Sequence, residues 1–172
     1  MTISRKGLLL AVIHLAIVCS LGAKLLYDRA TRPRVWVRTM AYDPDLPIRG
    51  RYASMRLEVN APANTRQAEG DPRMAWVASK PAHLTVQDGV LTAVPDENGS
   101  VLYSFRDRGP NQAQAFLVEP VAFFIPEHAF DPTIRARGEE LWAEITVPRK
   151  GAPRPIRLAV KKGEEFRPLD LR

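Results

Sequence analysis

The chain is nearly without cysteine: Cys19 is the one thiol in 172 residues. One thiol closes no internal disulfide and completes no multi-thiolate zinc site. Histidine is scarce too. His14, His83 and His128 stand far apart and in no ligand spacing, so the sequence offers no metal centre. A Gly-rich phosphate loop, a Gly-x-Ser-x-Gly elbow and a Ser/His/Asp ordering are all missing, and no cofactor is expected. The neighbouring carboxylates Glu139-Glu140 and Glu164-Glu165 would point to opposite faces of a strand, so neither pair forms an acid/base couple. The reading is that the protein is not an enzyme.

Proline is absent from the first 32 residues and then occurs fifteen times from Pro33 onward. That split divides the chain. Before it, residues 7 to 23 read GLLLAVIHLAIVCSLGA and carry no formal charge. As a helix these positions rise about 26 Å, slightly short of a ~30 Å hydrocarbon core. Lys24, Leu25, Leu26 and Tyr27 make up the difference, with the lysine reaching for headgroups and the tyrosine suited to the interface. Residues 7–27 are therefore expected to span a membrane after a stub of residues 1–6, with a linker over 28–34. A cleaved signal peptide is the rival reading, with Ser20 and Gly22 as a small-x-small site.

Arg5 and Lys6 precede the apolar run. The positive-inside rule then places the N-terminus in the cytoplasm and the remainder in the periplasm, outside the inner membrane of a bacterium. Residues 1–27 hold three basic and no acidic groups, and residues 28–172 hold 22 basic and 19 acidic, so each part carries +3. A charge so small over the larger part gives no reason to expect a nucleic-acid partner.

After Arg32 the pattern becomes one of short alternating runs. Val35, Val37 and Thr39 alternate with Trp36, Arg38 and Met40, and Ala53, Met55, Leu57 and Val59 with Tyr52, Ser54, Arg56 and Glu58. A period of two is that of strands with one face inward. Further strands are expected at 75–79, 84–87, 90–94, 101–106, 115–124, 141–147, 156–160 and 167–171. Hairpin turns are expected at Asp88-Gly89, Asp96–Gly99 and Arg149–Gly151. The prolines exclude a long helix. One short helix is expected over 132–137, capped by Asp131, begun by Pro132 and ended by Gly138. Residues 35–172 thus read as an all-β, or β-rich, domain, either a sandwich or a partly closed barrel. Trp36, Trp76, Trp142, Phe105, Phe116, Phe123 and Phe124 are its expected large core residues.

Residues 43 to 59 read DPDLPIRGRYASMRLEV. Asp43 before Pro44 starts a turn, Pro47 stiffens it, and Gly50 frees the backbone just before Tyr52 opens a strand. This stretch resembles the G-D-Y-x-x-L-x-Y family of membrane-anchored proteins through Asp43, Pro44, Asp45, Leu46, Arg49, Gly50 and Tyr52. The run Phe123-Phe124-Ile125-Pro126-Glu127-His128 is similar to the family's second landmark, an aromatic strand end before a short helix. Arg51 replaces the family's aspartate, Met55 its leucine and Leu57 its final tyrosine. The resemblance implies a membrane anchor and a β domain, often encoded beside multi-pass membrane proteins, and no established activity. Asp43, Pro44, Asp45, Arg49, Gly50, Tyr52, Phe123 and Phe124 are the candidate interaction residues, with another membrane or envelope protein as the partner.

Two other functions have some support. Arg32, Arg34, Arg38, Arg49, Arg51 and Arg56 would suit anionic lipid or an envelope polymer. Thr39-Met40, Pro47, Gly50 and Lys80 faintly echo a signal-peptidase-like protease, in which Thr39 would stand in for the nucleophilic serine.

Overall fold

The computed structural model describes residues 5–42, 52–62, 79–106 and 114–171. The chain forms two compact units, Met1–Arg32 and Pro33–Arg172. In the first, α1 (Arg5–Thr31) is a single helix of 27 residues. Its stretch Lys6–Asp28 is long and apolar enough to cross a membrane. Leucines, isoleucines and valines are exposed all along it, which suits a lipid solvent. His14 donates from Nδ1 to the Leu10 carbonyl and Ser20 from its hydroxyl to Ile17, both at 2.8 Å, so these polar groups are met within the helix. The helix runs four residues past the expected span. Asp28 and Arg32 hold its last turn, 3.1 Å apart at i,i+4, until Pro33 denies the next backbone donor. The expected linker over 28–34 is thereby reduced to Arg32 and Pro33.

The second unit is β-rich and built on one curled, half-barrel sheet. Its strands are β1 (Arg34–Ala41), β2 (Tyr52–Val59), β3 (Lys80–Gln87), β4 (Val90–Pro95), β5 (Val101–Arg106), β6 (Gln114–Leu117), β7 (Val121–Phe124), β8 (Glu139–Thr146), β9 (Arg154–Lys162) and β10 (Glu165–Pro168). They lie in the order β10-β9-β8-β1-β2-β6-β5-β3-β4, with β7 beside β2, and every pair is antiparallel. The curl brings β4 back to the end of β2. There Asn60 donates to the Leu91 carbonyl and accepts from Ala93, each at 2.8 Å.

Alternation decides what lies inside. Ala53, Met55, Leu57 and Val59 of β2 are buried, as are Val35 and Val37 of β1, while the residues between them face outward. The core is consequently aliphatic, with Tyr103 and Phe105 as its large rings. The expectation of an aromatic core is corrected. With Val35 and Val37 inward, Trp36 must point out, and Trp142, across from Arg38, shares that outer face. Phe116 is buried but outside the main cluster, Phe123 packs against that cluster half-buried, Phe124 is exposed, and Trp76 lies outside the described residues.

The turns explain the rest of the path. Asp88 and Gly89 both have positive φ, 51° and 75°, which matches the right-handed twist of the hairpin joining β3 and β4. Asp96–Gly99 is no hairpin. It carries the chain across the end of β3, whose Lys80–Ala82 then pair with β5. Gly99 makes this crossing possible, because a Cβ there would run into the Ala82 backbone. The expected strand 115–124 is broken at Val118–Pro120. Phe116 faces Glu58 while Val121 faces Met55, so β7 is two residues out of step with β6 along β2. No helix forms over 132–137. Asp131 does cap, accepting from the Thr133 N–H at 2.8 Å, but the chain makes only turns before Gly138 enters positive φ at 83°. The expected strand at 75–79 falls outside the described residues except Ser79, which is not in a strand.

Candidate functional site

Of the candidate interaction residues, Asp43, Pro44, Asp45, Arg49 and Gly50 lie outside the described residues. Tyr52, Phe123 and Phe124 are described, and the register brings them together. Tyr52 stands directly opposite Phe124, and Ala53 opposite Phe123, across β2 and β7. Tyr52 and Phe124 meet edge to face, centroids 5.7 Å apart at 74°. Both remain open to solvent, at 45% and 62% exposure, whereas Phe123 is turned toward the core. Among the described residues, β7 pairs with β2 alone and its other edge carries no strand. The aromatic pair thus lies exposed beside a strand edge that no described strand covers. Tyr52 and Phe123-Phe124, some seventy residues apart in sequence, are thus neighbours on the sheet.

A second feature sits at the other end of β2. Here β1 and β2 part company. Thr39–Ala41 pair with Met55–Leu57, but Arg34–Arg38 pair only with β8, while Glu58 and Val59 turn to β6. A cleft of about 560 Å³ opens at this seam, floored by Val37, Val59, Leu91 and Phe105. Its rim carries Trp36, Arg38, Glu58, Asn60, Gln114 and Trp142. The Arg38 guanidinium reaches Glu140 at 2.9 Å and Glu58 at 3.7 Å. The Trp142 indole N–H donates to Glu140 at 3.2 Å. Phe166 of β10 holds both indoles edge-on, with centroids 4.9 Å from Trp36 and 6.2 Å from Trp142. Arg157 lies over Trp36 and Lys161 over Trp142, at 5.8 and 5.3 Å. The Arg157 pKa is raised, first by its 2.6 Å hydrogen bond to the buried Glu144.

No family model matches the chain, and no curated protein or solved structure matches it. The protease reading gains no geometric support. The Thr39 hydroxyl donates to the Leu141 carbonyl at 2.9 Å, and Lys80 opens β3, separated from β1 by β2, β6 and β5. In β3, Lys80 stands opposite Tyr103 and its neighbour Pro81 opposite Leu102. Of the expected arginine cluster, the described members in the β unit are spread along β1 and β2. Arg34 begins β1, while Arg56 faces Met40 near its far end and stacks on Tyr42 at 4.5 Å. Arg49 and Arg51 lie outside the described residues, and Arg32 and Arg38 already hold carboxylates.

A smaller hollow of about 150 Å³ lies near Arg38, Thr39, Arg135, Glu139 and Glu140. Nε and Nη2 of Arg135 are buried there without hydrogen-bond partners. Burial pulls the Arg135 pKa down, against the opposing pull of Glu139 and Asp131. Two carboxylates in the same walls disfavour an anion, so the hollow does not make a phosphate site. Among the described residues, no cluster of His, Cys, Asp and Glu could hold a metal ion.

Proposed function

We propose that this protein is a single-pass membrane protein whose β unit serves as an interaction or assembly module for another membrane or envelope protein. The observation that carries the reading is the exposed Tyr52–Phe124 pair across β2 and β7, beside an edge of β7 that no described strand covers. Aromatic side chains dominate the energetics of protein interfaces, and a pair fixed by the sheet loses little entropy on docking. Helix α1 supplies the anchor, and Arg5 and Lys6 before the apolar run favour a cytoplasmic N-terminus with the β unit on the periplasmic side of a bacterial inner membrane. The resemblance to the G-D-Y-x-x-L-x-Y family supports the same reading, since its two landmarks supply Tyr52 and Phe124.

The test is a pull-down of the tagged full-length protein from mild detergent, after photocrosslinking from position 124. A discrete membrane or envelope companion is expected, and it should be lost from the Tyr52→Ala/Phe124→Ala double variant. A protein that purifies alone, or a companion that the double variant retains, would overturn the reading.

A further inference from the structure

The cleft at the β1/β2 seam is distinct from the aromatic edge: along β2, Tyr52 and Val59 are separated by about 23 Å. Its volume falls within the range of small-molecule sites, roughly 300–1,000 Å³. Its chemistry limits what it can take. Arg38 is the cation of the rim, and its charge is met by Glu140 and Glu58. Among the described residues that line it, a phosphate or carboxylate would find no uncommitted cation and would face two carboxylates. A purely apolar ligand would strip water from Glu58, Asn60 and Gln114 and return no hydrogen bonds. What fits is a neutral molecule with an apolar face and a hydrogen-bonding edge.

The remaining groups narrow the class further. Trp36 and Trp142 are half-buried and border the cleft, held in place by Phe166. The face of an indole is electron-rich and attracts the weakly positive C–H groups of a saturated ring. Asn60, Gln114 and Glu58 are planar groups that make paired hydrogen bonds to adjacent hydroxyls. We infer that the cleft is a carbohydrate-binding site for a short neutral oligosaccharide. Arg157 and Lys161 stand over one face of Trp36 and Trp142, so the ring's C–H face would rest on the opposite indole faces, and its hydroxyls would meet the planar rim. This inference does not depend on the protein partner proposed above. A variant defective in the cleft should still capture that partner, and the edge variant should still bind sugar.

The test uses the full-length protein in a detergent without a sugar headgroup. Chitotetraose, cellotetraose and maltotetraose are titrated in turn, with binding followed by calorimetry and indole fluorescence. At least one is expected to bind with a millimolar or lower Kd. Trp36→Ala should weaken it at least about tenfold, and Trp36→Phe, which keeps an aromatic face, by much less. Should Trp36→Ala not fold, Asn60→Ala and Gln114→Ala serve instead. Asn60 is held by backbone bonds that the substitution leaves intact, so each is expected to weaken binding several-fold with an unchanged melting curve. Failure of all three sugars at millimolar concentration overturns the assignment. So does binding that survives the cleft variants, or displacement of the sugar by inorganic phosphate or a neutral tripeptide.

Discussion

Replacing Tyr103 with phenylalanine is expected to stabilise the β unit. Tyr103 lies on β5, fully buried, its ring edge-on to Phe105 with centroids 5.8 Å apart. Its hydroxyl has no hydrogen-bond partner among the described residues. A hydroxyl removed from water without a partner costs about 1–3 kcal/mol. Tyr103→Phe removes the oxygen and leaves the ring where it is. The void left behind, about 10 Å³, returns only ~0.2 kcal/mol at ~24 cal/mol per Å³. The net gain is therefore about 1–3 kcal/mol. For a unit of this size it should raise Tm by roughly 3–10 °C. Thermal melts of the full-length protein, followed by tryptophan fluorescence, measure the shift. A urea midpoint that rises with an unchanged m-value would place the effect in the folded state. A lower Tm would refute the reasoning, because it would mean that the hydroxyl is hydrogen-bonded and worth keeping.

Other perturbations separate packing, crossing and anchoring. Leu57→Ala empties a fully buried position on β2 and should cost about 2–5 kcal/mol in a urea melt. Gly99→Ala should cost more than Gly89→Ala. Gly89 has open space and should lose about 1–2 kcal/mol for its positive φ, whereas a Cβ at Gly99 must displace the Ala82 backbone. Removing residues 1–32 should move the protein from the membrane fraction to the soluble fraction without changing the Tm of the β unit, as fractionation and a melt would show.

Alternation made the strands legible. Tyr52–Val59 has the bounds its pattern suggests, because each inward position is apolar and each outward one polar or aromatic. The Asp88-Gly89 turn was equally readable, since two positive φ angles need those residue types. Asp96–Gly99 looks the same locally but does something else. Nothing in the turn says that the next strand will return to the far side of β3. The stretch after Asp131 has a cap and a stop for a helix, yet too few residues lie between them to repay nucleation. Tyr52 and Phe124 could each be singled out, but their pairing depends on the two-residue shift between β6 and β7 along β2. The cleft was hidden for a related reason. It exists because β1 and β2 separate after three paired residues, which is a property of how the sheet curls.

The pairing of β1 with β8 also sets a clock. Trp36 finds its partner at Glu144, and the Thr39 side chain is held by Leu141, 102 residues further along the chain. At about 5–20 residues per second, a strand that leaves the ribosome just after α1 waits roughly 5–20 s for that partner to be made. During this interval the first half of β1 has an open edge and two valines without a core. Aggregation or capture by a holdase would therefore act on an early intermediate. Truncation just before β8 should leave that intermediate permanently unfinished.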